Sequence, residues 1–414
     1  MLVLTVVGGA LAILVPPVTD ASVAASAPAP SPRDKASMAY DGLHGQVVLF
    51  GGLNGDYLGD TWTWDGTAWT RPTPKHEPRP RGASAMAYDA TRARTVLFGG
   101  CCDDNGSSFG DTWTWDGEDW RLRSPAHSPP PRWGAMIASD AKRRQVVLFG
   151  GFDEVEYLND TWTWDGRDWT QRTPVHTPGP RAVSGITWDS FRRQIVLFGG
   201  YSYGGPLGDT WTWDGTDWTK RAPAHAPPAR SFMGMGFDDG HGQAVVFGGT
   251  PQGNEEALDD TWTWDGADWT ERSPPHAPTT RLGPALAFDG LRSDMVLFGG
   301  FDPTNAGYLG DTWTWDGTDW TAQLQGSIEL DPRSGHPGSL VTVVGRGFAA
   351  GELIRLTFVD STLGAVSLGT AQADAGGAFA TNVTVPNGAT PGPQAVKAKG
   401  RSSGEIARRR FTVT

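Results

Sequence analysis

The residues best suited to chemistry lie in short acidic stretches that interrupt an otherwise repetitive chain. Asp153, Glu154, Glu156 and Tyr157 crowd a five-residue window, and Asp103 and Asp104 form a second acidic pair. Carboxylates beside an aromatic ring suit three tasks: proton transfer, hydrogen bonding to a polar ligand, and calcium coordination. Neither stretch supplies a full oxygen cage, so calcium stays open and no other cofactor is expected. Two cysteines are adjacent, Cys101 and Cys102; a vicinal disulfide and a pair of thiols are both compatible with the sequence. Five histidines, His76, His127, His176, His225 and His276, recur about fifty residues apart in proline-rich stretches. That spacing places them on separate structural units, so one metal ion cannot gather them, and local packing or hydrogen bonding is expected. Nucleophile-elbow, zinc-protease and phosphate-loop motifs are absent.

The elements that must position these groups come from an internal repeat. Asp-Thr-Trp-Thr-Trp-Asp-Gly begins at Asp60, Asp111, Asp160, Asp209, Asp260 and Asp311. An apolar run ending in Gly-Gly precedes each copy, and each unit opens with an Arg eight residues before an Asp, from Arg33/Asp41 to Arg281/Asp289. Each unit reads as four short strands, A to D. Ser84–Tyr88 is a small-residue strand A, and Thr95–Phe98 is strand B, apolar on both faces as a doubly buried strand requires. Thr112–Trp115 alternates as strand C, and Asp116-Gly117 is a tight turn into strand D at Trp120. Six such units over 33–321 predict a six-bladed β-propeller, and the like end copies favour a closed ring over a solenoid. Eighteen of the 20 Trp belong to the repeat, leaving Trp133 and Trp188 outside it. Their rings are expected to press on the small Thr or Ala face of the adjacent blade. The copies begin at strand A and end at strand D, which predicts no strand exchange at the seam and ends held by packing alone.

The Gly-Gly after an apolar strand, the aromatic strand that follows and the Trp beyond it resemble the kelch repeat. The heptapeptide is similar to repeats of exported bacterial kelch proteins. The resemblance implies a fold shared by galactose oxidase, sialic-acid mutarotases and many propellers that only bind. It does not carry over the copper site of galactose oxidase. The only Cys pair is vicinal, and the remaining histidines, His44, His241 and His336, are scattered. The repeated Arg and heptapeptide Asp are expected to pair within each blade, because one catalytic site has no use for six copies of a residue.

Residues 322–414 have another grammar. Leu340–Val343, Leu353–Phe358, Ala378–Val385 and Arg410–Val413 are short strands of a β-sandwich. Gly345-Arg346-Gly347-Phe348, with Val385-Pro386 and Pro391-Gly392, resembles immunoglobulin-like domains of the IPT/TIG type. At the other end, the apolar run Leu2–Val15, a small-residue stretch and a proline-rich spacer read as an export signal occupying 1–32. The run is too short to span a bilayer. A signal anchor is the rival reading, and the expected location is secreted or cell-surface.

Composition limits the partners. The chain carries a formal charge of −12. Residues 33–321 hold 25 basic and 39 acidic groups (−14), and 322–414 hold 9 and 6 (+3). A nucleic-acid binder would need a basic face, so nucleic acid is not expected. Strand parity puts the B–C and D–A connections on one face of the propeller. The B–C loops carry tyrosines and carboxylates and no Lys or Arg. The resemblance implies that residues just after the opening Arg face a ligand, with Trp133 the aromatic one among them. The expected ligand-binding residues are Trp133, Tyr57, Tyr157, Glu154, Glu156, Tyr203, Ser231 and Tyr308. The expected function is an exported binding or adhesion protein for a carbohydrate or protein. The alternatives are a mutarotase- or lyase-like enzyme using Glu154 or Glu156, and a structural envelope component.

Overall fold

The computed structural model describes residues 29–102, 106–251, 256–323, 326–348, 351–374, 377–401 and 406–414. Residues 1–28 of the export-signal segment, together with Asp103 and Asp104, therefore lie outside the described residues. Among the described residues all the regular structure is β. The first blade is an antiparallel meander of β1 (Ser37–Asp41), β2 (Gln46–Leu53), β3 (Tyr57–Trp64) and β4 (Trp69–Thr70). Strands β5 to β24 repeat it five times between Ala85 and Gln323, giving six four-stranded sheets, each built from one repeat.

Burial occurs between blades rather than within them. Val48, Phe50 and Ala39 of the first blade share a core with Trp115 and Trp120 of the second. Met38, Trp64 and Trp69 of the first share another with Val296 and Phe298 of the sixth. The strand D Trp carries each joint. Trp169 packs edge-on against Phe98 of the preceding blade, with centroids 5.5 Å apart, and donates its indole N–H to Thr112 Oγ1 at 2.9 Å. The same bond recurs around the ring, including Trp69 Nε1 to Thr312 Oγ1 at 2.8 Å across the seam. The threonine face of strand C thus receives the neighbour's ring, as the alternation predicts. Thr112→Val is expected to cost about 1–2 kcal/mol, since it leaves the buried Trp169 N–H unpaired; chemical denaturation measures it.

The seam is more than packing. Arg33 donates its main-chain N–H to Leu309 O at 2.9 Å and accepts from Gly300 N at 2.8 Å, tying the first repeat to the sixth blade. The expectation of ends held by packing alone is corrected, because the residues before strand A cross the seam and carry main-chain bonds with them.

The C-terminal unit is a sandwich with its own core, which includes Val343, Leu356, Phe358 and Phe411. One sheet orders β25 (Ser327–Asp331), β27 (Leu340–Arg346) and β30 (Phe379–Thr384). The other orders β26 (Ser334–Gly335), β32 (Ile406–Val413), β31 (Gly392–Gly400), β28 (Leu353–Asp360) and β29 (Gly364–Gln372). Asp360 ends β28 and pins the turn to β29. Burial of its carboxylate is overcome by the N–H groups of Leu363, Thr390 and Thr362, which hold its pKa down to about 2, below the ordinary 3.8. A depressed folded-state pKa gives stability that is present above about pH 4 and lost as pH falls through 2. Asp360→Asn is expected to lower the melting temperature of this unit at neutral pH, with the difference vanishing near pH 2 in a pH series of thermal melts.

Candidate functional site: the B–C face of the propeller

The opening Arg of each repeat builds this face by clamping two blades. Arg81 donates its main-chain N–H to Leu58 O and accepts from Gly52 N, both at 2.9 Å, in the preceding blade. Its guanidinium reaches into its own blade, to both oxygens of Asp111 at 2.6 and 3.0 Å and to Gly99 O at 3.0 Å. All six Arg make this pairing with the heptapeptide Asp. They are buried, so none is left to hold a carboxylate in the channel. The Gly-Gly pair follows from the clamp: Gly51 has φ +68, and a Cβ there would lie 2.5 Å from Arg81 O.

Gly-Gly does not end strand B in every blade. In blades one, three, four and six the strand passes through the pair with a register shift and continues into an extended hairpin, such as Leu53 opposite Tyr57. In those four blades most of what reads as B–C loop is therefore strand, whereas strand B of the second and fifth blades stops earlier, at Phe98 and Phe247. The D–A linkers run between the two faces. His76 donates its main-chain N–H to Asp119 of the next blade's C–D turn, and its ring Nδ1 meets the same carboxylate at 2.8 Å. These bonds hold Asp119 down to about 2. All five linker histidines bind the equivalent Asp of the next blade in this way, a structural role.

The residue after each Arg forms a bridge with the residue after each Gly-Gly: Asp34 with Leu53, Gly82 with Cys101, Trp133 with Phe152, Ala182 with Tyr201, Ser231 with Thr250 and Leu282 with Phe301. The following residue closes a ring. Lys35, Ala83, Gly134, Val183, Phe232 and Gly283 each donate a main-chain N–H to the carbonyl of the previous blade's residue, at 2.7–3.1 Å. All six have positive φ, even the β-branched Val183 at 51°, a conformation tolerated because both its backbone groups are used in the ring. Below it a channel of about 190 Å³ is lined by the strand A starts, among them Ser37, Ser84, Ser184 and Met235.

Three of the expected ligand-binding residues come together beside this ring. Trp133 meets Phe152 edge-on at 5.7 Å, Phe152 meets Tyr157 at 4.9 Å, and Tyr157 meets Tyr203 at 5.0 Å and Tyr201 at 6.2 Å. Trp133 and Tyr157 are half-buried, whereas Tyr203 is 71 % exposed. Phe152, the hub of the cluster, is missed by reasoning from the loops. Its bridge to Trp133 was implicit in the fixed spacing of Arg and Gly-Gly. Glu156 flanks the cluster and is exposed, and Glu154, at φ 76°, accepts the main-chain N–H of Ser108 and so joins two loops.

The other expected residues lie elsewhere. Tyr308 packs on Phe301 at 5.2 Å. Tyr57 donates toward Cys101 and Cys102 Sγ at 3.4 Å, and those two cysteines are joined as a disulfide. Burial, with Asp34 and Tyr308 nearby, pushes the Tyr57 hydroxyl pKa up. Ser231 is fully buried and its hydroxyl has no hydrogen-bond partner among the described residues, so it is not presented to solvent. Among the described residues no group of three His, Cys, Asp or Glu is placed to hold a metal ion.

Residues 94–270, from strand B of the second blade to strand D of the fifth, match the KLHDC2/KLHL20/DRC7 Kelch-repeats domain. The propeller is of the kelch type. Residues 324–413 match the macroglobulin-like domain, so the unit after the kelch propeller is immunoglobulin-like, and the match there is to a different subtype from the IPT/TIG one its glycine motif suggests. No curated protein matches the chain at a significant level. Among the described residues no helix is long and apolar enough to cross a membrane.

Proposed function

We propose that this chain is an exported binding protein whose kelch propeller captures a protein partner on its B–C face, at the aromatic cluster around Trp133, Phe152, Tyr157 and Tyr203. The observation that carries the reading is the asymmetry of that cluster. The inter-blade joints repeat six times, as structure requires, while among the described residues this chain of rings occurs once, beside the channel mouth. Kelch repeats are associated with protein binding, and half-buried Tyr and Trp are the side chains that dominate protein interfaces. The acidic hairpins around the cluster favour a neutral or basic segment of the partner.

Peptide-display selection on the full chain tests this. Enrichment of a common motif that free motif peptide competes away supports the reading. A glycan array run in parallel covers the second reading, a sugar stacked on Tyr203, and selective glycan binding with no peptide enrichment would replace the first.

A further inference from the structure

The outer face of the five-stranded sheet in the C-terminal unit is cationic. Lys397 of β31 stands opposite Arg408 of β32, Ala395 opposite Arg410, and Lys399 opposite Arg355 of β28. Directly opposed residues share a face, and on all three strands the alternate positions Val396, Ala398, Phe411, Ile354 and Leu356 are in the core. Arg355, Lys397, Lys399, Arg408 and Arg410 therefore project from one side of the sheet. Four of the five are exposed and Lys397 is half-buried. None forms an ion pair among the described residues. Like charges on facing positions destabilise a sheet, so folding gives no reason for the arrangement.

The face has relief as well as charge. Val359, Ser361, Pro393 and Ala395, with Arg408 and Arg410, line a groove of about 460 Å³, which also takes in Gln394, Arg409 and Asp360, whose carboxylate is occupied by main-chain N–H groups of its turn. Hydroxyls alternate with the charges: Thr357 is opposite Lys397, Thr370 opposite Arg355, and Thr412 opposite Pro393.

We infer that this face is a docking surface for an acidic polysaccharide. A trough of forked and point cations interleaved with hydroxyls matches a polymer whose anionic groups alternate with sugar hydroxyls. Among the described residues the face carries no aromatic ring on which a base would stack and no exposed large apolar side chain to enter a bilayer. The acidic propeller does not forbid the contact, because at physiological ionic strength charges more than about 8 Å apart are largely screened.

Heparin is the probe. Binding of fluorescent heparin to the full chain is measured from 50 to 300 mM salt, beside vesicles of phosphatidylglycerol and phosphatidylcholine and a DNA duplex. The wild-type chain is expected to bind heparin, and K397A/R408A/R410A to bind it at least tenfold more weakly, with a log–log salt slope shallower by about two to three. The control K75A/R167A/K220A removes three exposed propeller cations and should bind like wild type; thermal melts confirm that both variants fold. Wild-type chain that does not bind, a patch variant that binds unchanged, or equal losses in both variants would overturn the inference. So would vesicle or duplex binding as tight as heparin binding.

Discussion

Arg181→Ala is expected to destabilise the propeller by about 3 kcal/mol, the low end of what breaking a buried ion pair costs. The guanidinium is almost fully buried, and Asp209 keeps about a fifth of its side chain exposed. Arg181 binds both carboxylate oxygens, at 2.6 and 3.0 Å, and the carbonyls of Gly199 at 3.1 Å and Gly179 at 2.9 Å. Removing it leaves Asp209 with the Trp211 indole N–H and Gly199 O with only the Ser184 hydroxyl, and it takes the guanidinium donor from Gly179 O. Arg181→Lys should recover only part of the loss, since one ammonium cannot span a carboxylate and two carbonyls together. The pH dependence has a definite sign. Burial of Asp209 is outweighed by Arg181, which lowers the carboxyl pKa below its ordinary value. The pair's stability is therefore present above about pH 4 and lost as the solution is acidified through the lowered pKa. Urea unfolding of wild type and variant at pH 7 and pH 3 should show the gap narrowing at the lower pH. An unchanged gap would mean that the side chain acts by packing alone.

Trp133→Ala combined with Tyr157→Ala is expected to weaken binding of any selected peptide by 2 kcal/mol or more, about thirtyfold, the scale of two interface anchors. The fold should survive, because both rings are half-buried on the face and neither contributes to an inter-blade core. The readout is peptide affinity by titration beside a thermal melt. Ala substitution at Tyr308 in the sixth blade serves as the comparison, since the structure places that ring outside the cluster. Equal losses from the two would spread the site across the whole face, and unchanged binding in the double variant would remove it from the cluster.

Much of this protein could be read from its residues. Six copies of one heptapeptide, with Trp and Thr alternating, suffice for the blade count and for which strand face meets the next blade, because side-chain period and burial are local consequences of sequence. The pairing of each opening Arg with the heptapeptide Asp was also legible, since repetition argues for structure over chemistry. The candidate site was half legible: Trp133 is conspicuous because it breaks the repeat, and Tyr157 and Tyr203 because they sit in unequal hairpins.

What only the tertiary structure decided depends on contacts between repeats. That the Gly-Gly pair makes room for the next blade's Arg backbone, that six main-chain bonds close a ring above the channel, and that Arg33 stitches the seam all require neighbouring blades to be in place. Burial works the same way. Ser231 and Trp133 occupy equivalent positions in the repeat, yet one is sealed and the other joins the aromatic cluster, because the partner after Gly-Gly is Thr250 in one blade and Phe152 in the other. In the C-terminal unit the sequence alone shows a surplus of three positive charges. Strand register gathers five cations onto one face, since residues far apart in the chain share a face only when their strands pair.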